Sequence, residues 1–303
     1  MGKKSNVAFA IAAAAGAAGA AWASTKALSK PQSRPSKKAL EYEQPIILAH
    51  RGGSALTPEC SPSAFEQAAK LGVHGFEIDI RLTKDEEIIV FHDEELDRVT
   101  NFTGKVSDYT LAELKEADLG HHFKDVNGTS SYKNCGEQIM TLGELLDSYP
   151  QMLINMDMKD APQTYEGSLM PSKLWRLLEE HQAQDRVVVA SFYDDQLDRF
   201  NLYAQNSVAL GASEKEVKKA YTAYTSQFKH LYHPKADVFQ IPVKSTVFPL
   251  DNPGFIRFLN SLNIPVHYWT IDNPEIMKKL ISNGAKGIIT DRPDLAMEVL
   301  KLD

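Results

Sequence analysis

Residues 75–93 read Gly75-Phe76-Glu77-Ile78-Asp79-Ile80-Arg81-Leu82-Thr83-Lys84-Asp85-Glu86-Glu87-Ile88-Ile89-Val90-Phe91-His92-Asp93. The stretch Gly75–Asp79, in which Phe76 and Ile78 alternate with Glu77 and Asp79, reads as a strand. Only 13 positions separate Asp79 from His92, and Thr83-Lys84-Asp85-Glu86 between them reads as a turn. A parallel crossover needs a dozen or more connecting residues, so Glu87–Phe91 should return antiparallel, as the second arm of a hairpin. Seven further strands are expected at Ile46–Ala49, Leu153–Asp157, Val187–Ala190, Ser207–Leu210, Val238–Ile241, Val266–Trp269 and Gly287–Ile289. Amphipathic helical patterns separate them, the signature of parallel βα units. With the hairpin arm set aside, eight parallel strands remain, the number that closes a barrel. The expected fold class is therefore α/β, a TIM-type (β/α)8 barrel, with a small insertion after strand 2 over about residues 82–140.

The helices carry their own punctuation. Ser61-Pro62 offers an N-cap and an N1 proline, and Gly72 closes that helix. Thr110 with Glu113, Thr141 with Glu144 and Ser213 with Glu216 fit the capping box. Asn273-Pro274 and Gly284 frame another helix.

Two segments are expected: a signal or anchor segment with linker over 1–44, and the barrel over 45–303. Lys3 and Lys4 precede a run from Val7 to Ala23 made of Ala, Gly, Val, Phe, Ile and Trp, and Ala21-Trp22-Ala23 offers a small-x-small cleavage pattern. The stretch Ser24–Lys38 is rich in Ser, Lys, Pro and Gln and reads as a linker. These features place the N-terminus at a membrane or lead it outside the cell, with a cytoplasmic protein as the alternative. Residues 1–44 carry seven Lys/Arg against two Glu, a net of +5, so the whole-chain charge of −7 leaves −12 on the barrel. So acidic a body excludes nucleic acid as a partner, because phosphate backbones require clustered cations. The only two cysteines, Cys60 and Cys135, form neither a zinc spacing nor a disulfide framework.

The chemistry gathers at strand ends. Strand one ends in His50-Arg51-Gly52-Gly53, strand two carries Glu77 and Asp79, the hairpin returns at His92-Asp93, and strand three reads Asn155-Met156-Asp157-Met158-Lys159. Side chains at i and i+2 share a strand face, so Glu77 projects with Asp79, and Asn155, Asp157 and Lys159 project together. Carboxylates inside a barrel are costly unless paired or metal-bound. Three of them on neighbouring strands make an oxygen-rich site of the kind that Mg²⁺ or Ca²⁺ selects.

These residues, with Pro58-Glu59, Leu82-Thr83-Lys84-Asp85, Arg98 and Thr100, Gly104, Trp269-Thr270 and Gly287-Ile288-Ile289-Thr290-Asp291-Arg292-Pro293, resemble the ordered motifs of glycerophosphodiester phosphodiesterases, members of the phospholipase C-like phosphodiesterase superfamily. The resemblance spans roughly residues 46–300. It implies Glu77, Asp79 and Asp157 as holders of a divalent cation, Mg²⁺ or Ca²⁺, with Glu59 as a possible additional ligand. It implies His50 and His92 as the general acid/base pair, and Arg51, Lys159 and Trp269 as substrate-binding residues. Two positions depart from the pattern: Cys60 stands where asparagine is usual, and Asp157 where many members have glutamate.

The activity so implied is metal-dependent hydrolysis of a glycerophosphodiester to glycerol 3-phosphate and an alcohol. Asp157, the apolar Phe239, Phe248, Phe255 and Tyr268, and the anchor-like N-terminus favour an alternative: a lysophospholipase D acting on membrane lysophospholipids. A non-catalytic barrel serving as a binding module is the reading from another class. The intact His50/His92 pair argues against it.

Overall fold

The computed structural model describes residues 16, 19–27, 29, 32–226, 228–245 and 248–301. Among these residues nine strands form one sheet: β1 (Ile46–His50), β2 (Gly75–Leu82), β3 (Ile88–Val90), β4 (Leu153–Met158), β5 (Val187–Ala190), β6 (Ala209–Leu210), β7 (Phe239–Ile241), β8 (Val266–Tyr268) and β9 (Gly287–Thr290). Eight are parallel, in the order β6-β5-β4-β2-β1-β9-β8-β7. The ring closes where Gly211 bridges Val238 in parallel and Ala212 N–H donates to the Val238 carbonyl at 3.0 Å. β3 lies off this circuit, antiparallel to β2 with Ile80 opposite Val90, so the hairpin expectation is met.

Alternation along the strands sorts the side chains. Ile47 and Ala49 of β1 face the helices in the main core, while Ile46 and Leu48 pack inside the barrel with Ile289. β3 and the segment after it build a small core of their own from Ile89, Phe91, Leu96, Val106, Leu114, Ala117, Leu119 and Ile139. Caps form at Ser61, Thr110 and Thr141 as expected, the last two as complete capping boxes. At Ser213 the box is half made. The serine accepts from Glu216 N–H, but the Glu216 carboxylate turns away to Tyr232 Oη at 2.6 Å and Lys235 N–H at 3.0 Å.

Residues 32–44 correct the linker reading in part. Arg34 forms an ion pair with Asp237 at 2.6 Å, Ala39 packs among Val188, Ala209 and Val238, and Tyr42 packs against Ile46 and Leu48. The segment straps across the barrel's N-terminal end and plugs it. The composition suggests a linker because its few anchoring residues are diluted by Ser, Lys and Pro. The membrane or export expectation rests on Lys3, Lys4 and the run Val7–Ala23, of which residues up to 15, 17 and 18 lie outside the described residues, while 19–27 are helical. Among those described, no helix is long and apolar enough to cross a membrane.

His267 sits beneath the plug, with Nε2 2.5 Å from Tyr42 Oη, and burial pushes its imidazole down to about 3. An unfolded histidine titrates near pH 6.5, so on acidification the unfolded chain takes up this proton first. This contribution to stability is complete above about pH 6.5 and is lost progressively toward about pH 3. Denaturant midpoints should fall across that window, and His267→Gln should flatten the fall. An unaltered pH slope in that variant would count against the assignment.

Candidate active site

The C-terminal ends of the strands open into a cavity of about 630 Å³ lined by His50, Arg51, His92 and Trp269 and by the polar faces of β2 and β4. The β2–β4 register sets Glu77 beside Asn155 and Asp79 beside Asp157. Lys159 follows directly and reaches back, with Nζ 2.7 Å from Asp157 and 2.9 Å from Asp79. From the other side Arg51 Nε stands 3.1 Å from Asp79, and its Nη1 donates to Glu59 at 3.0 Å. Every residue of the expected site therefore comes to one place, with Glu59 held just outside the cavity lining.

The turn after β1 explains the His-Arg-Gly-Gly spelling. Arg51, Gly52 and Gly53 all have positive φ, at 51°, 85° and 99°. A Cβ on Gly52 would lie 2.6 Å from Ala64 Cβ, so the first glycine is required twice over. Cys60 also has positive φ, at 60°, a conformation that asparagine tolerates far better than cysteine. The backbone thus accounts for the asparagine usual there. Both cysteines are free, Cys60 buried and Cys135 exposed.

Electrostatically the cluster is an acidic knot crossed by two cations. Asp79 is 1% exposed. Burial pushes its carboxyl upward, but Lys159 and Arg51 overcome this and hold it below the usual range. Burial and the neighbouring Asp79 raise Glu77 to about 7, and burial raises Asp157 to about 6 against the pull of Lys159. Glu77 Oε2, Asn155 Oδ1 and Asp157 Oδ1 are buried and accept no hydrogen bond, while Asp79 Oδ2 faces Arg51 without hydrogen-bond alignment. Buried oxygens in that state are costly, and a hard cation would satisfy them. As the side chains stand, Lys159 bridges Asp79 and Asp157, and among the described residues no three His, Cys, Asp or Glu groups meet at metal-ligand distance.

Each histidine is backed by a carboxylate. His50 Nδ1 meets Asp291 Oδ1 at 2.5 Å, and the same oxygen accepts from Ser54 Oγ. His92 Nδ1 meets Asp93 Oδ1 at 2.6 Å. Such a partner fixes the tautomer and leaves the other ring nitrogen for chemistry. Burial depresses both imidazoles. At His50 the charges of Glu77 and Asp291 reverse the shift, whereas His92 stays below its ordinary value.

The profile of the glycerophosphoryl diester phosphodiesterase family matches residues 50–295, which holds this whole constellation. The chain belongs to that family. A glycerophosphodiester phosphodiesterase of Caldanaerobacter subterraneus is 30% identical over 84% of this chain and 98% of its own length. A human lysophospholipase D is 24% identical over 81% of this chain and 83% of its own. Among solved structures, the phosphodiesterase domain of a Mycobacterium tuberculosis protein superposes with a TM-score of 0.73 at 18% identity, covering 84% of this chain and 99% of that one. A phosphodiesterase of Oleispira antarctica in complex with the product sn-glycerol 3-phosphate superposes with a TM-score of 0.68 at 24% identity, covering 85% and 97%. These neighbours carry the same TIM-type barrel.

Within this member of the family, sequence reasoning missed two residues that the site uses, Asp291 behind His50 and Phe192 in the cavity wall. Asp291 appears in the sequence only as part of a motif, although its place just past β9 is a barrel strand end, where functional residues gather. Phe192, just past β5 and 55% exposed, packs its ring against Trp269 and lies 5.4 Å from Lys159 Nζ. Of the apolar residues expected to favour lipid, only Phe248 lines the cavity. Phe239, Phe255 and Tyr268 belong to the main core, because strand alternation turns Phe239 and Tyr268 toward the helices while Gln240 faces the cavity.

Proposed function

We propose that the chain hydrolyses glycerophosphodiesters to glycerol 3-phosphate and a free alcohol by acid/base catalysis from His50 and His92. The observation that supports this best is the pair of carboxylate-backed imidazoles facing the Asp79–Lys159–Asp157 cluster across one cavity. One histidine takes a proton from water as it attacks phosphorus. The P–O bond to the alcohol breaks, and the other histidine protonates the departing oxygen. Arg51 and Lys159 bind the phosphoryl oxygens, and Trp269 lines the substrate. Alternatively the substrate's adjacent hydroxyl attacks first, through a cyclic phosphate. Glu77, Asp79 and Asp157 would hold a Mg²⁺ or Ca²⁺ ion, with Glu59 as a further candidate. Bound there, the cation supplies electrostatic stabilisation of charge developing on the phosphate.

Excess chelator followed by dialysis should abolish turnover, and Mg²⁺ or Ca²⁺ should restore it. Full activity after that treatment would remove the metal assignment. Asp157→Glu should keep metal binding but shift the preferred cation, since Mg²⁺ tolerates poor ligand geometry badly.

The wall of Phe192, Val217, Phe248 and Trp269 favours a second reading, lysophospholipase D action on an acyl-bearing substrate. Glycerophosphocholine and a lysophospholipid assayed side by side separate the two by their kcat/KM. Membrane association or export through the N-terminus accompanies either reading and is tested by cell fractionation.

A further inference from the structure

Arg98 lies on the insertion, between Leu96 and Thr100, both buried, with the Thr100 hydroxyl donating to the Leu96 carbonyl at 2.9 Å. Its guanidinium forks onto both oxygens of Glu59, at 2.8 and 2.7 Å, while Nε donates to Asp93 Oδ2. Each carboxylate spends another contact on the active site: Asp93 Oδ1 on His92 Nδ1 at 2.6 Å, and Glu59 Oε1 on Arg51 Nη1 at 3.0 Å. The Arg98 side chain is itself 49% exposed and does not line the cavity.

We propose that Arg98 is a positioning residue that sets His92 and Arg51 together, one through Asp93 and the other through Glu59. The inference rests on the proposed roles of those two residues. A planar guanidinium can grip two carboxylates in fixed directions, which a lysine ammonium cannot. Without it, Glu59 and Asp93 repel each other and are free to turn, and the imidazole and the Arg51 guanidinium lose their common reference. Arg98 is half exposed, and without it Glu59 keeps Arg51 and Asp93 keeps His92 as partner, so neither carboxylate is left stranded and the loss of stability is small. The effect is therefore expected in kinetics rather than in melting.

The test compares Arg98→Ala and Arg98→Lys with the full chain on glycerophosphocholine. On the scale of lost outer-shell orientation, Arg98→Ala should lower kcat about 10–100-fold. KM should rise a few-fold through Arg51, with the melting temperature nearly unchanged. Arg98→Lys should stay close to the alanine variant, and added guanidinium ion should restore part of kcat to Arg98→Ala but none to His92→Ala. The proposal is overturned if both variants keep near-normal kcat. It is equally overturned if the lysine variant is fully active, or if activity falls only in step with melting temperature and guanidinium gives no rescue. Bis(p-nitrophenyl) phosphate serves as a generic diester. A wild-type chain that cleaves it but no glycerophosphodiester fails the substrate reading, while the Arg98 comparison stands on the generic diester.

Discussion

Alanine at His50 or at His92 should each lower kcat by about 10²–10⁴-fold, the range for a lost general acid or base. KM should move little, because Arg51 and Lys159, not the imidazoles, are the proposed phosphate clamp. The double variant should be far less than additively worse, since groups that act as a unit fail together. The structure sharpens the expectation: Asp291 and Asp93 each hold one imidazole by Nδ1. Asp291→Asn should therefore lower kcat less than His50→Ala does. A folded His92→Ala enzyme with near-normal kcat would reduce His92 to a turn residue and end the acid/base mechanism, leaving the carboxylate cluster untouched.

The largest effect on stability should come from Arg34. Its partner Asp237 is 2% exposed and also accepts from Leu210 N–H at 3.0 Å. Arg34→Ala strands a buried carboxylate, which typically costs about 3–5 kcal/mol. At roughly 2–4 °C per kcal/mol for a domain of this size, melting should fall on the order of 10 °C. Adding Asp237→Asn should recover part of the loss, because it removes the stranded charge. A chain shortened to begin at Glu43 should lose this pair together with the Tyr42 and Ala39 contacts, and so melt lower still. Its kcat below the melting range should remain normal, as no residue of the cavity is removed. Unchanged melting in Arg34→Ala would show that the strap is held by other contacts.

The barrel and most of its site are legible in the chain because both follow from short-range rules. The 13-residue interval between Asp79 and His92 admits only a hairpin, and the i, i+2 rule gathers Glu77 with Asp79 and Asn155 with Asp157. What is not legible depends on contacts between distant segments. Nothing near Asp291 announces that its partner is His50, 241 positions away. Arg98 shows as a motif residue, but its grip on Glu59 spans 39 positions and exists only once the insertion has packed. Glu216 carries the capping-box spelling, yet Tyr232 and Lys235 compete for its carboxylate and win. Phe239 and Tyr268 look available to a lipid until the strand phase is known.

The strap also fixes which way the enzyme looks. Ala39 and Tyr42 cover the end where the strands begin, whereas His50, Asp79, Asp157 and Asp291 stand where they finish. The strap therefore sits at the blind pole of the barrel, with the full strand length between it and the mouth. A bilayer gripping residues upstream of the strap would meet the closed end and leave the open end pointing into water. Lipids of that same bilayer would have no direct path to the cavity. Tethered in this way, the barrel would draw its substrates from solution or from a second membrane facing it.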